Sequence, residues 1–227
     1  MPGTELEDDR AVKDTKERIL DAAESLFADR GFAATSMRTL TTSAEVNLSA
    51  VNYHFGSKER LIRAVFARRL RPLNRERLAL LDRVDAGSAA DDALPPIVEA
   101  FIGPPLRMSR DADGGGAVFM RLLGHAMNQP KDAIRQLLGE QFREVIDRFS
   151  ASIHRALPQL DDREIRLRLL FMAGAMAHTM CLSDQLVRMY DGTEGENDAE
   201  AMIERLVPFL CAGLRASSTR HGTGVES

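Results

Sequence analysis

The chain has 227 residues, 44% hydrophobic and 28% charged, which suffices for one large helical domain or for a small module beside a larger one. Its two cysteines, Cys181 and Cys211, lack CxxC or Cys/His spacing, so neither a disulfide framework nor a metal centre is expected. The formal net charge of −4 conceals an asymmetry: residues 12–71 carry 11 Lys/Arg against 7 Asp/Glu, and the remainder carries 19 against 27.

A locally basic N-terminal piece joined to an acidic body suits docking on phosphates, with little indiscriminate binding to nucleic acid. Low aromatic content and the absence of Trp disfavour an all-β or sugar-binding protein. Both cysteines lie in apolar helical stretches and read as buried free thiols of a reducing compartment. Residues 1–11 carry Glu5, Glu7, Asp8, Asp9 and Arg10 without an apolar segment, unlike a signal peptide. The longest uncharged apolar stretch, Leu169 to Ser183, is shorter than the roughly 18–20 residues of a membrane span. A cytoplasmic protein with no membrane partner is expected.

Residues 1–13 read as a disordered arm. A first helix is expected from Asp14 to Arg30, with Ile19, Leu20, Ala23, Leu26 and Phe27 on one face and Gly31 as its stop signal. Thr35 or Ser36 caps a short second helix carrying Leu40 and Ala44. Asn47 caps a third holding Ala50, Val51 and Tyr53. Ser57 caps a fourth, with Leu61, Ile62, Val65, Phe66 and Leu70 on its apolar side. Short helices joined by brief links make a helix-turn-helix bundle over residues 14–56.

Beyond Pro72 the pattern changes. A loop is expected over residues 87–92, then a helix from Leu94 to Ile102 broken at Gly103-Pro104-Pro105. A flexible loop follows over residues 111–116, and a helix over 117–128. A long helix starts near Pro130 and ends before Pro158. Another spans 162–190. The last spans 198–216, kinked at Pro208, and residues 217–227 read as a disordered tail. The fold class is therefore all-α. An N-terminal three-helix helix-turn-helix domain is joined by a fourth helix to a larger helical domain, the two together spanning 57–216.

The most informative stretch is Thr15 to Val65. Arg18-Ile19-Leu20, Ala22-Ala23, Leu26-Phe27, Gly31-Phe32, Thr35-Ser36-Met37-Arg38, Val46, Val51-Asn52-Tyr53-His54-Phe55 and Ser57-Lys58-Glu59 resemble the N-terminal domain of TetR-family regulators. The resemblance implies a transcriptional repressor binding double-stranded DNA through Leu48–Phe55 in the major groove. Leu48, Ser49 and Asn52 would reach base edges. Asn47, Tyr53, His54 and Lys58 would lie at the groove or the phosphates, with Thr35, Ser36 and Arg38 contacting the backbone from the second helix. One departure stands out: Glu45 occupies the turn before the recognition helix, where the family usually has Gly.

Val118 to Ala126 and Val207 to Ala216, with Val46 to Lys58, resemble the PsrA branch, whose members respond to long-chain fatty acids. That likeness implies a small hydrophobic effector in the ligand-binding domain. Phe119, Met120, Leu123, Met127, Met172 and Met176 would line an adaptable apolar pocket, with Arg121 or His125 at the head group. It also implies a homodimer through the last two helices, whose Ala173, Gly174, Ala177, Leu206, Phe209, Leu210 and Gly213 offer small and apolar faces, and hence a palindromic operator. His178, alone in an apolar run, reads as a hydrogen-bonded core residue.

The same scaffold could sense a drug, an acyl-CoA or an aromatic metabolite instead. An enzyme is the remote alternative, since no G-x-S-x-G, H-E-x-x-H, P-loop or dinucleotide fingerprint is present. No catalytic residue, metal or cofactor is expected.

Overall fold

A computed structural model describes residues 3–87, 92–111, 115–128, 132–181 and 198–217, side chains excepted at 3–13, 128 and 181. Among these residues all regular structure is helical: α1 (Gly3–Ala34), α2 (Met37–Ser43), α3 (Leu48–Phe55), α4 (Lys58–Ala86), α5 (Leu94–Arg110), α6 (Gly116–Asn128), α7 (Asp132–Ala156), α8 (Asp162–Cys181) and α9 (Ala199–Arg215). Every cap expected for the short helices forms except one alternative. Ser36, not Thr35, caps α2 by accepting from the Thr39 amide at 3.0 Å. Asn47 caps α3 through the Ala50 amide at 2.8 Å, and the Ser57 hydroxyl accepts from the Arg60 amide at the start of α4 at 3.2 Å. Gly31, at φ 76°, breaks α1 as expected.

Three boundaries differ from the sequence reading. Helix α1 starts at Gly3, so the backbone of the expected arm is helical. No Pro or Gly interrupts residues 4–13, and acidic residues suit a helix N-terminus. Helix α4 runs through Pro72, which is exposed. Helix α5 runs through Pro104 and Pro105. Pro105 has no amide to offer the Phe101 carbonyl, and the Arg77 Nε–H takes its place at 2.8 Å. Of the loops expected over residues 87–92 and 111–116, residues 88–91 and 112–114 lie outside the described residues, as do Pro130, the expected helix beyond Cys181 and nearly all of the tail; Gly116 already belongs to α6.

Two compact units form, and neither is one continuous segment. The first comprises Met1–Asn74 and Met108–Phe142, the second Arg75–Arg107 and Arg143–Ser227. The sequence reading divided the chain at 56/57 instead. In the first unit α1 packs against α2, α3 and α6. A chain of rings runs through its core: Phe27 to Phe32 at 5.3 Å, Phe32 to Phe66 at 6.0 Å, and Phe66 to Phe119 at 5.9 Å. Helix α6 thus belongs with the helix-turn-helix because Phe119, Leu122 and Ala126 complete this core. Gly116 permits the approach of α5 to α6, since a Cβ there would lie 1.7 Å from the Met108 carbonyl oxygen.

The second unit buries Leu81, Val98, Phe101, Ile102, Leu106, Phe149, Ile153, Leu169, Met172 and Met176 in a single apolar core, with α8 packed on α9. Phe101 and Phe149 meet edge to face at 5.1 Å. Cys211 is buried there, and burial raises its thiol pKa. No described helix is long and apolar enough to cross a membrane.

Candidate nucleic-acid interface and effector core

Helix α3 is eight residues long, about 12 Å at 1.5 Å per residue, a length that lies within a major groove. Val51 and Phe55, four apart, are buried and hold it to the unit. The opposite face carries Leu48, 50% exposed, Ser49, Asn52 and Tyr53, 80% exposed. The sequence-expected base-reading residues therefore share one exposed face. His54 is half-buried, its ring 5.2 Å from that of Tyr53.

The turn before α3 orients this face. Ala44 caps α2, the Glu45 amide donates to the Thr42 carbonyl at 3.3 Å, and the Val46 amide donates to Thr41 at 3.0 Å. These two bonds make a Schellman motif, whose penultimate position normally takes Gly. Glu45 stands there at φ 54°. An Arg18 Nη2 donates to the carbonyls of Ala44 and Glu45 at 2.8 and 2.7 Å, fastening the turn to α1. Sequence reasoning included Arg18 in the motif without giving it this role.

Two further candidates are placed differently from expectation. Thr35 is buried, and its hydroxyl donates within the unit to Gly31 and Leu26 carbonyls, so its side chain is not at the surface. Lys58 is half-buried, and its Nζ donates to the Thr35 carbonyl at 2.5 Å, tying α4 to the turn ahead of α2. Ser36, Arg38 and Asn47 are exposed, with the Ser36 and Asn47 oxygens engaged in capping.

An open cleft of about 340 Å³ adjoins α3, lined by Lys16, Asn52, Tyr53, His54 and Arg60 among others. Lys16 and Arg60 are exposed. Sequence reasoning missed both, because neither belongs to the third helix or its cap. Both cations line the same cleft as Asn52, Tyr53 and His54. Three other basic residues of the 12–71 stretch are held in ion pairs. Arg68 and Arg69 both bond Glu24, which is buried, at 2.7 and 2.9 Å. Burial opposes the Arg68 charge, and the Glu24 and Asp21 carboxylates outweigh it, so its pKa rises. Arg63 pairs with Glu140 at 2.9 Å.

The residues expected to line the effector pocket do not come together in one unit. Phe119 and Met120 are buried in the first unit, where Leu123 is half-buried and His125 and Met127 are exposed. Arg121 is exposed and lies 3.4 Å from Asp29. Met172 and Met176 lie in the core of the second unit. The cause is the capture of α6 by α1, which helical periodicity alone does not encode. His178 is exposed and not a core histidine. Among the described residues no cluster of three potential metal ligands forms.

The second unit holds a charged group that sequence reasoning passed over. Arg77, on α4, is 3% exposed. Its guanidinium carbon lies 4.5 Å from the Phe101 ring centroid, its Nε donates to the Phe101 carbonyl, and an Nη2 stands 3.5 Å from the Met176 sulfur. Burial pushes its pKa down to about 9.

A short helix with one buried and one exposed face, held on a small helical bundle, is the arrangement of a helix-turn-helix DNA-binding domain. Residues 19–65 match the family model for bacterial regulatory proteins of the tetR family, and residues 99–213 match that of the tetracyclin repressor-like C-terminal domain. The chain belongs to the TetR family of DNA-binding transcriptional regulators, and is not an enzyme.

Among curated relatives, it is 51% identical over 47 residues to the HTH-type transcriptional repressor Rv3405c of Mycobacterium tuberculosis, which covers 21% of this chain and 25% of that protein. The chain thus spans a quarter of the length of this relative. Among solved structures, FadR of Bacillus subtilis in complex with stearoyl-CoA superposes with a TM-score of 0.59 at 14% identity, covering 87% of this chain and 98% of that one. SmeT in complex with triclosan gives 0.59 at 18% identity, covering 88% and 90%. At such identities these two likenesses show the fold.

Proposed function

We propose that the protein is a cytoplasmic repressor that binds a palindromic operator as a homodimer and is released by a long-chain fatty acid or a related lipid. The observation that carries the DNA half is the exposed face of Leu48, Ser49, Asn52 and Tyr53, with Lys16 and Arg60 beside it. The lipid half draws on the resemblance to the PsrA branch, on the fold shared with a FadR that holds stearoyl-CoA, and on the methionine-bearing core of the second unit.

Dimerisation draws on α8 and α9. Leu167, Leu170, Phe171 and Gly174 recur at helical spacing and are exposed on α8, and Phe209 (68% exposed) and Gly213 are exposed on α9. A Cβ built on either glycine meets nothing within 4 Å, which leaves room for a partner helix to approach. Leu210 faces inward and drops out of the expected interface. Such a self-complementary apolar stripe suits a two-fold interface.

Release requires that the effector favour a geometry in which paired recognition helices no longer fit successive grooves. Helix α4 contributes residues to both units, so displacement of its Leu61–Leu70 segment is the route by which the signal travels. The test begins with operator selection from random duplex DNA, followed by titration of oleate into the complex. Selection of a palindrome and its release by oleate are expected. Recovery of no preferred sequence refutes the DNA half. A selected palindrome that oleate leaves bound refutes the lipid half, and triclosan-like apolar compounds are then the class to screen.

A further inference from the structure

We infer that Arg77 is the anion anchor of the effector site, and that the effector is an amphipathic carboxylate whose apolar remainder lies against Phe101, Met172 and Met176. The inference rests on the reading of the protein as ligand-responsive and adds what that ligand must carry. Its starting point is a charge out of place. Arg77 is nine-tenths buried in an apolar core, and among the described residues no carboxylate stands within ion-pair distance of it. Buried charges in folded proteins are ordinarily paired, because an uncompensated one costs several kcal/mol.

The contrast within this chain is direct. Among the described residues the other buried arginine, Arg168, bonds Glu164 at 2.7 Å and donates to the Leu214 and Ala216 carbonyls at the end of α9. Half-buried Arg68 and Arg69 share Glu24. Arg77 has a neutral carbonyl, a thioether and a ring face instead.

Its bond to the Phe101 carbonyl does have a structural purpose, because Pro105 leaves that carbonyl without an amide. A neutral donor meets that need equally well. The positive charge is therefore surplus to the helix and available to an anion. A planar guanidinium has five N–H donors in a fork that matches a carboxylate. A thioether is a weak acceptor that a carboxylate oxygen readily displaces, and the flexible Met172 and Met176 side chains can move aside for an apolar chain. The sequence reading sought the head-group contact on α6, at Arg121 or His125, but both are solvent-exposed and Arg121 lies beside Asp29.

The test uses the full-length protein and two probes of equal chain length, oleate and oleyl alcohol, titrated below their aggregation concentrations by calorimetry. Wild type is expected to prefer oleate by about tenfold or more, the discrimination that a charge-assisted hydrogen bond supplies. Arg77→Gln keeps a donor for the Phe101 carbonyl and removes the charge. It is expected to lose the preference by weakening oleate while leaving oleyl alcohol unchanged. Arg77→Lys keeps the charge without the fork and retains part of the preference.

Operator binding without lipid, unchanged in both variants, serves as the check on folding. Should Arg77→Gln fail it, the ratio in Arg77→Lys decides: a preference equal to wild type means the fork is not used. Equal binding of the two probes by wild type, or a preference that survives Arg77→Gln, overturns the anchor and leaves a lipid sensor. Absence of binding to either probe overturns both the anchor and the lipid reading.

Discussion

Replacing Glu45 by glycine should stabilise the protein. Glu45 sits at φ 54° in the left-handed region, where an L residue with a Cβ is disfavoured by roughly 1–2 kcal/mol. Glycine removes that penalty but adds about 0.5–1 kcal/mol of unfolded-state entropy. The net gain is about 0.5–1 kcal/mol, equivalent to a rise in Tm of up to about 4 °C for a chain of this size. The Schellman bonds from Glu45 to Thr42 and from Val46 to Thr41 are made by backbone and survive the change, as do the two bonds from Arg18. Loss of the carboxylate is a separate effect. Glu45 is exposed two residues before the cap of the recognition helix, so its removal also reduces repulsion of DNA phosphates. Glu45→Ala removes the same charge and keeps the Cβ. Chemical unfolding and operator titration of both variants therefore separate the terms: stability should rise in Gly over Ala, while operator affinity rises in both alike. A Gly variant no more stable than the Ala variant would falsify the claim that the turn is held under backbone strain.

Other consequences of the same geometry are open to measurement. Arg18→Met deletes two hydrogen bonds from a charged donor to the turn and should cost about 1.5–3 kcal/mol in thermal unfolding, with a weaker operator complex; an unchanged melting curve would show the turn stands without its fastening. Asn52→Ala should cost about 1–3 kcal/mol on the cognate operator and relax preference at one base pair, whereas Lys16→Ala and Arg60→Ala should weaken all sequences and flatten the salt dependence by about one ion each; equal losses on operator and random DNA for Asn52→Ala would remove it from the reading face. Glu24→Ala leaves Arg69 without its carboxylate and Arg68 with only Asp21 and Glu17, and should destabilise by about 1–3 kcal/mol in denaturant unfolding, an unchanged midpoint placing the cluster among ordinary surface pairs. Phe209→Asp should convert dimers to monomers in analytical ultracentrifugation and abolish tight operator binding; dimers of undiminished affinity would move the interface elsewhere.

The helix-turn-helix was legible because its signals are local. Gly31, Ser36, Asn47 and Ser57 each act within three residues, and each does in the fold what its side chain allows. Glu45 was recognisable as an anomaly for the same reason, since a left-handed turn constrains one residue at a time. What escaped depends on partners far along the chain. Pro104 and Pro105 read as a break, and a donor from α4 takes the place of the amide that Pro105 lacks. Thr35 is a good capping residue that turns inward because carbonyls at Leu26 and Gly31 face it. Met120 of α6 and Met172 and Met176 of α8 look alike in sequence, yet they lie in different units, because α6 completes the ring stack begun by Phe27 and Phe32. Arg77 gives no signal at all in a stretch already rich in arginine.

The paired prolines of α5 also set when that helix can exist. A helix ordinarily propagates by its own amides, so its turns flicker into being in an unfolded chain. At Ala100 and Phe101 that ladder has no rungs, and the donor that reaches Phe101 comes from a residue 24 positions earlier. The second half of α5 is thus helical only once α4 is docked and Phe101 has met Phe149. It cannot seed folding, and it cannot fray independently of the core it completes. Its amides should exchange with solvent only through openings that unfold that core as a unit, giving one protection factor for Phe101, Ile102, Gly103 and Leu106 where most helices show a gradient.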